Sequence, residues 1–305
     1  PSSAAAECYK GTVVGSVYGS YIANPTTRGA AMTLSIAKSD GVISIPASSE
    51  GLEEGAKVRV FLNRQRSEVT NTLLISGSHD IALDILASEL TSLQNGIRLI
   101  SSSVGSVGGL LSLSKGFAHM AGTHLLDEDT GEYNVSAIKR HITNEKVHIY
   151  DFVGRTQGIM VQKGNPKGIK EVKDLLGNGT KFLNRQRGSG TRLLFDFLLK
   201  QEGLGTENIL GYDNEEYTHW NVAAAVSSGI ADVGVGIMAA AKGHDLDFIP
   251  LGEEKFQLVV PTDILDTNQH VSKLIGMLKK TDLRLEIEAI GGYDVEAMGN
   301  LGFTI

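Results

Sequence analysis

From Asn71 to the end of the chain, short apolar runs alternate with glycine-bearing loops and with stretches whose apolar residues recur every three or four positions. Strands that alternate with helices pair side by side in one sheet, with the helices packed over its faces. The rhythm opens with a buried-type strand over 72–75, the loop Ser76-Gly77-Ser78, and a helix over 79–94 whose apolar stripe is Ile81, Ile85, Leu86, Leu90 and Leu93. Strands over 97–100, 147–153 and 158–162 follow, with a short helix through Leu110 and Leu111. A second round starts with a helical segment over 170–176 and a strand over 181–183. Its next helix, over 191–202, carries Leu193, Leu194, Phe197 and Leu198 and is stopped by Gly203. A helix over 219–228, strands over 233–235 and 256–260, and two helices near 270–280 and 282–290 complete it. Two rounds over about 235 residues predict two α/β lobes with mainly parallel sheets.

Residues 1–65 read differently. Segments 12–21 and 30–37 are strand-like, 42–45 is a short strand ended by Pro46, and 57–62 alternates polar with apolar. This is a small β unit, too short to bury a large core alone.

Composition narrows the function. Glycine makes up 36 of 305 residues, well above the usual ~7%, as expected of a fold with many tight turns and close backbone approaches. A net charge of −7 argues against nucleic acid as a partner, because phosphate neutralisation needs clustered Lys and Arg. No apolar run reaches the ~18 residues a membrane span needs. The single cysteine, Cys8, excludes an internal disulfide framework. The opening PSSAAAECYKG lacks a basic stretch followed by an apolar one, so a cytoplasmic location is expected.

In open α/β sheets, ligands sit at the carboxyl ends of strands against helix N-termini. Three loops suit that place. SGSHD (76–80) offers Ser76 and Ser78, although Ser78 could equally cap its own helix. SSSVGSVGG (101–109) offers Ser103 and Ser106 in a backbone nest, or is simply a flexible loop. NRQRGSGTR (184–192) is the sharpest: Gly188 and Gly190 permit close backbone approach, and Ser189 and Thr191 supply hydroxyls. Arg185, Arg187 and Arg192 add guanidinium forks suited to an oxyanion, against the plainer reading of solvated arginines beside a capped helix. Thr218, opening the helix at 219, is either a cap or a further donor. No metal site is expected, because the eight histidines form no HExxH or Cys/His cluster, and His119, His124 and His148 read as structural. No GxSxG elbow or other catalytic set is present, so no residue is assigned a catalytic role.

The run NRQRGSGTRLLFDFLLKQEG resembles the periplasmic-binding-protein-like domain appended to molybdenum-cofactor enzymes and some regulators. SHDIALDIL, VGSVGGLLSLSKGFAHMAGTHLLDEDTGEYN, HWNVAAAVSSGIADVGVGIMAAA, LDFIPLGEEKFQLVVP and GGYDVEAMG extend the resemblance over nearly all of 71–305. SDGVISIPASSEGLEEGAKVRVFL is similar to the C-terminal β domain of MoeA, the molybdopterin molybdenumtransferase. These resemblances imply a β domain over 1–65 and a two-lobed binding domain over 66–305. Lobe 1 is expected at 71–151 and 257–305, and lobe 2 at 157–248, with crossings near 152–156 and 249–254.

The resemblance further implies a small oxyanion, molybdate or tungstate, held between the lobes without a tightly bound cofactor. Its donors would be Ser76, Ser78, Ser103, Ser106, Ser189, Thr191 and Thr218, with backbone from Gly188 and Gly190. Molybdate sites of this type use neutral donors, so Arg187 or Arg192 would favour tungstate or an organic anion such as a pterin phosphate. The implied role is a ligand-binding module of molybdenum or tungsten cofactor synthesis, partnered by the catalytic domains of a MoeA-type enzyme and compatible with a homodimer. The competing expectation is an exported substrate-binding protein of an oxyanion transporter.

Overall fold

The computed structural model describes residues 8–25, 39–45, 49, 51–93, 96–127, 130–176 and 179–305. The N-terminal unit is an antiparallel sheet of β1 (Cys8–Val17), β2 (Ser20–Pro25), β3 (Gly41–Ile45) and β4 (Val60–Leu62), in the order β2-β1-β3-β4. The segment read as one strand over 12–21 is a hairpin. Tyr18 and Gly19 both take positive φ (48° and 75°), the conformation a two-residue turn between strands requires. The strand expected at 30–37 lies outside the described residues.

Helix α1 (Arg66–Thr70) leads into β5 (Thr72–Gly77), which is buried along its whole length. There follow α2 (Ile81–Thr91), β6 (Arg98–Ser103), α3 (Gly105–Ser114), β7 (Met120–Thr123), α4 (Val135–His141) and β8 (Val147–Val161). After a 3-10 turn at Val172–Leu175 come β9 (Phe182–Arg185), α5 (Gly190–Gln201), β10 (Glu215–Glu216), α6 (His219–Ser227), β11 (Val233–Ile237), α7 (Met238–Gly243) and β12 (Asp247–Pro261). The chain closes with α8 (Thr262–Thr267), α9 (Gln269–Met277), α10 (Thr281–Ile290), β13 (Tyr293–Asp294) and β14 (Leu301–Thr304). No helix among the described residues is long and apolar enough to cross a membrane.

One curled sheet, ordered β10-β9-β11-β8-β12-β7-β5-β6, carries both lobes, and β13 and β14 pair with β8. Its flanks are parallel: β5 with β6 and β7 in lobe 1, β9 with β10 and β11 in lobe 2. Its middle is antiparallel, because β8 and β12 carry the chain between lobes in opposite directions. Each has 15 residues, about 50 Å of extended chain, enough to serve both lobes. The runs 147–153 and 158–162 are therefore parts of one strand. The largest apolar cluster runs from Leu73, Leu74 and Ile75 through Phe152, Phe256 and Met160 to Val222 and Ala223. Lobe 2 adds a core of its own, in which Phe182 stacks on Phe195 at 4.9 Å.

The β unit docks on lobe 1 along β5. Val17 enters the large cluster, and a Cβ on Gly15 would lie 2.7 Å from Leu74 Cγ, so the backbones approach at the limit of packing. Two buried polar bridges fix the register. Asp40, fully buried, accepts the Val14 N–H at 2.9 Å and pairs with Arg64 (2.7 Å) and with Arg98 at the start of β6 (2.8 Å). His119, before β7, accepts the Leu74 N–H at Nδ1 (3.0 Å) and lies 2.8 Å from the Ser16 carbonyl at Nε2, which fixes the proton on Nε2.

Burial lowers the His119 pKa from 6.5 to about 4. A depressed histidine contributes stability that is complete above pH 6.5 and is lost as pH falls through 6.5 towards 4, because the unfolded chain binds the proton first. The span corresponds to roughly 3 kcal/mol. Urea denaturation at pH 7, 6, 5 and 4 should therefore show wild type losing stability faster than His119→Gln. Parallel slopes for the two proteins would contradict this.

Candidate functional site

The carboxyl end of β5 builds the lobe 1 wall. A Cβ on Gly77 (φ 138°) would sit 2.2 Å from the Gly122 carbonyl oxygen, and one on Gly109 would sit 2.5 Å from Gly77 Cα. These glycines let α3 and β7 close against β5 backbone to backbone. Ser78 Oγ thereby comes within 2.9 Å of Ser106 Oγ, which also accepts the His124 N–H at 3.2 Å. Val104 precedes α3 without capping it by a side chain, so no N-cap side chain satisfies the first-turn N–H groups at the positive end of α3.

Behind this wall lies a buried ion cluster at the crossing of the lobes. Arg155 on β8, only 2% exposed, donates to Asp80 Oδ2 at 2.8 Å and to Glu254 Oε1 on the facing position of β12. Gln157 donates to Glu254 Oε2. Asp80 caps α2 by accepting the Ala82 N–H (2.8 Å) and also accepts the Tyr293 hydroxyl (2.9 Å). All four carboxylate oxygens are thus engaged by protein groups. The guanidinium of Arg155 lies over the Phe256 ring at 5.1 Å. The His124 imidazole stacks on the same ring at 5.7 Å, with Nδ1 3.2 Å from Glu254 Oε1.

Lobe 2 supplies a different kind of cation. Arg185, at the end of β9 and 7% exposed, donates to His219 Nδ1 (2.7 Å), the Tyr217 carbonyl (2.9 Å), the Glu216 carbonyl (3.3 Å) and Gln186 Oε1 (3.2 Å). All four acceptors are neutral. Among the described residues no carboxylate stands within ion-pair distance of it. Burial, with repulsion from Arg155, lowers its pKa to about 10, so it stays charged at neutral pH. Because a guanidinium only donates, His219 Nδ1 accepts and its proton sits on Nε2. Burial first, then Arg185 and Arg155, hold His219 well below its ordinary range. His124 is held down by burial, Arg155 and Arg185, against a smaller opposing pull from Asp80. The lobes meet at His124 and Gly190, where a Cβ on Gly190 would lie 2.4 Å from His124 Nδ1.

The residues singled out in the sequence fall into three groups. Ser78 and Ser106 stand together, with Ser76 buried beneath them. Gly190 and the buried Thr191 open α5 beside His124. The others face elsewhere or serve their own helices. Ser103 is exposed at the end of β6, and Gly188 is exposed in a turn with φ 80°. Ser189 caps α5 through the Arg192 N–H (3.3 Å), and Thr218 is exposed and caps α6 through the Asn221 N–H (3.0 Å). Arg187 is exposed and pairs with Asp213 (3.2 Å) and Glu215 (3.5 Å). Arg192 is buried against Tyr212, 4.6 Å from its ring, and pairs with Glu215. Both guanidiniums are occupied by acids of lobe 2. Sequence reasoning passed over Arg155, Glu254 and His219, and read His124 as structural. The one available signal was a charged residue inside the apolar strand VHIYDFVGRTQGIMV.

Arg155→Met would leave Asp80 and Glu254 buried and unneutralised, at a cost of about 3–5 kcal/mol. Chemical denaturation at pH 7 should show that loss, and acid, which protonates the two carboxylates, should shrink it. A variant as stable as wild type would refute the assignment.

A family model for the PBP superfamily domain matches residues 87–279, and one for the MoeA C-terminal region (domain IV) matches residues 2–62. The uncharacterized protein YvgK of Bacillus subtilis (strain 168) is 34% identical over 232 residues, covering 75% of this chain and 73% of that one. Solved structures of similar fold include an ABC-type phosphate transport receptor from Vibrio cholerae (TM-score 0.51, 20% identity, 72% of this chain and 98% of that chain). Another is the substrate binding domain assigned to a molybdenum ABC transporter of Clostridium difficile (TM-score 0.51, 15% identity, 73% and 98%). At these identities the structural likeness shows the two-lobed fold.

Proposed function

The chain belongs to the PBP superfamily, and from that premise we propose that it is a binding module whose lobes close on a small oxyanion, molybdate or tungstate, in the service of molybdenum or tungsten cofactor synthesis. The observation that carries the proposal is Arg185: a buried guanidinium with neutral acceptors only, near Arg155 and His124 at the lobe crossing, where both acids are already engaged. A buried guanidinium held only by neutral acceptors can give an entering anion a charge-assisted hydrogen bond. Ser78, Ser106 and the uncapped start of α3 supply donors from lobe 1, and the start of α5 supplies them from lobe 2. The Gly190–His124 contact favours a compact ligand over a bulky one such as a pterin phosphate. Closure is stabilised only by the difference in ligand affinity between closed and open lobes. Sulfate is rejected by size, because a shorter anion leaves buried donors unpaired.

The match of residues 2–62 to the MoeA C-terminal region supports a place beside the catalytic domains of such an enzyme in the cytoplasm. The transport receptors among the similar folds support a second reading, an exported substrate-binding protein. Cell fractionation of the native protein separates the two.

Calorimetric titration with tungstate, molybdate, sulfate and phosphate should give heat with the first two. Arg185→Ala should weaken tungstate binding by about 100-fold or more, as expected for a buried charged hydrogen-bond partner. Arg187→Ala, whose guanidinium is exposed and paired with acids, should stay within about threefold of wild type. Silence with all four anions would end the proposal, as would an Arg185→Ala protein that binds like wild type.

A further inference from the structure

Two carboxylates and two guanidiniums, Asp80, Glu254, Arg155 and Arg185, lie at the crossing of the lobes. Their charges cancel, and the imidazoles of His124 and His219 beside them are neutral. A doubly charged oxyanion entering next to Arg185 would leave this buried group with two uncompensated negative charges. Low-dielectric surroundings resist such an imbalance, and the nearest remedy is a proton. His219 cannot take it while Nδ1 accepts from Arg185, since both groups would then donate along the same line.

His124 can. Its Nδ1 is buried, makes no hydrogen bond, and lies 3.2 Å from Glu254 Oε1, which Arg155 also engages. Its ring forms the lobe 1 side of the contact with Gly190, at the start of α5. Resting on the reading of the cleft as an oxyanion site, we propose that His124 takes up a proton as a divalent oxyanion binds, so that lobe 1 grips the ligand with an imidazolium.

The groups facing His124 set the direction of the change. Arg155 on β8, Arg185 on β9 and the burial of the ring oppose its protonation in the empty cleft. Asp80 at the start of α2 favours it, as Glu254 on β12 does by contact, while His219 at the start of α6 stays neutral. An anion beside Arg185 cancels the field of the two guanidiniums, and the carboxylates then prevail. An ammonium would find no free carboxylate, because every oxygen of Asp80 and Glu254 already has a protein partner.

Calorimetry of the full chain with sodium tungstate, in buffers of different ionisation heat between pH 6 and 8, counts the protons directly. Uptake of about one proton is expected, with Kd weakening about tenfold per pH unit where uptake is complete. His124→Gln should still bind tungstate, more weakly, with uptake close to zero and a flat pH profile. Independently of that variant, nitrogen NMR of the wild-type imidazoles should show one ring turning from neutral to charged on adding tungstate. Tungstate binding without proton uptake, or unchanged uptake in His124→Gln, would overturn this proposal and leave the oxyanion site standing. No binding of any of the four oxyanions at any pH would overturn both.

Discussion

Arg155 carries the constraint on which the rest of the molecule depends. It stands where β8 passes from one lobe to the other, and it ties the cap of α2 through Asp80 to the facing strand β12 through Glu254. Buried ion pairs of this kind add little net stability over an apolar core, yet breaking one is expensive. Arg155 engages both Asp80 and Glu254, and among the described residues Arg185 has no carboxylate in ion-pair contact. The ion cluster and the Arg185 guanidinium stand close enough to act on each other's charge.

Backbone geometry sets the rest of the cleft. The glycines at 77, 109 and 122 allow α3 to sit directly on β5 and β7, which brings Ser78 to Ser106 and points the uncapped start of α3 inward. Gly190 does the same for lobe 2, where any side chain would meet His124. The cleft is also coupled to the N-terminal unit. The strand that ends in Gly77 is the one on which β1 docks, held by His119 and by Asp40 with Arg98.

The architecture was legible because periodicity is a local property. Alternating strands and helices from Asn71 on, after a segment of strands alone, sufficed for a β unit followed by two lobes. The antiparallel middle of the sheet was less visible. Gly154, Arg155, Thr156 and Gln157 interrupt the apolar run of β8 and read as a gap between two strands, whereas their partners are the polar groups at the crossing. Ser78 and Ser106, which the fold brings together, lie in loops whose composition is a local property too. The arginines were not legible, because burial is decided by what the fold brings from elsewhere. Arg185 is covered by the Glu216 and Tyr217 carbonyls and by His219, more than thirty positions on. Arg187, two residues away, points to solvent and to Asp213. His124 carries no sequence signal at all, since its neighbours Glu254, Arg155 and Gly190 lie far along the chain.

The central claim is that an oxyanion sits between the lobes against Arg185. A crystal of the protein grown with tungstate, measured at a tungsten absorption edge, locates the metal by its anomalous scattering. A single strong peak is expected within hydrogen-bonding reach of the Arg185 guanidinium, between the His124 ring and the start of α5. A peak confined to the surface beside Arg187, or at the seam between the β unit and lobe 1, would contradict it.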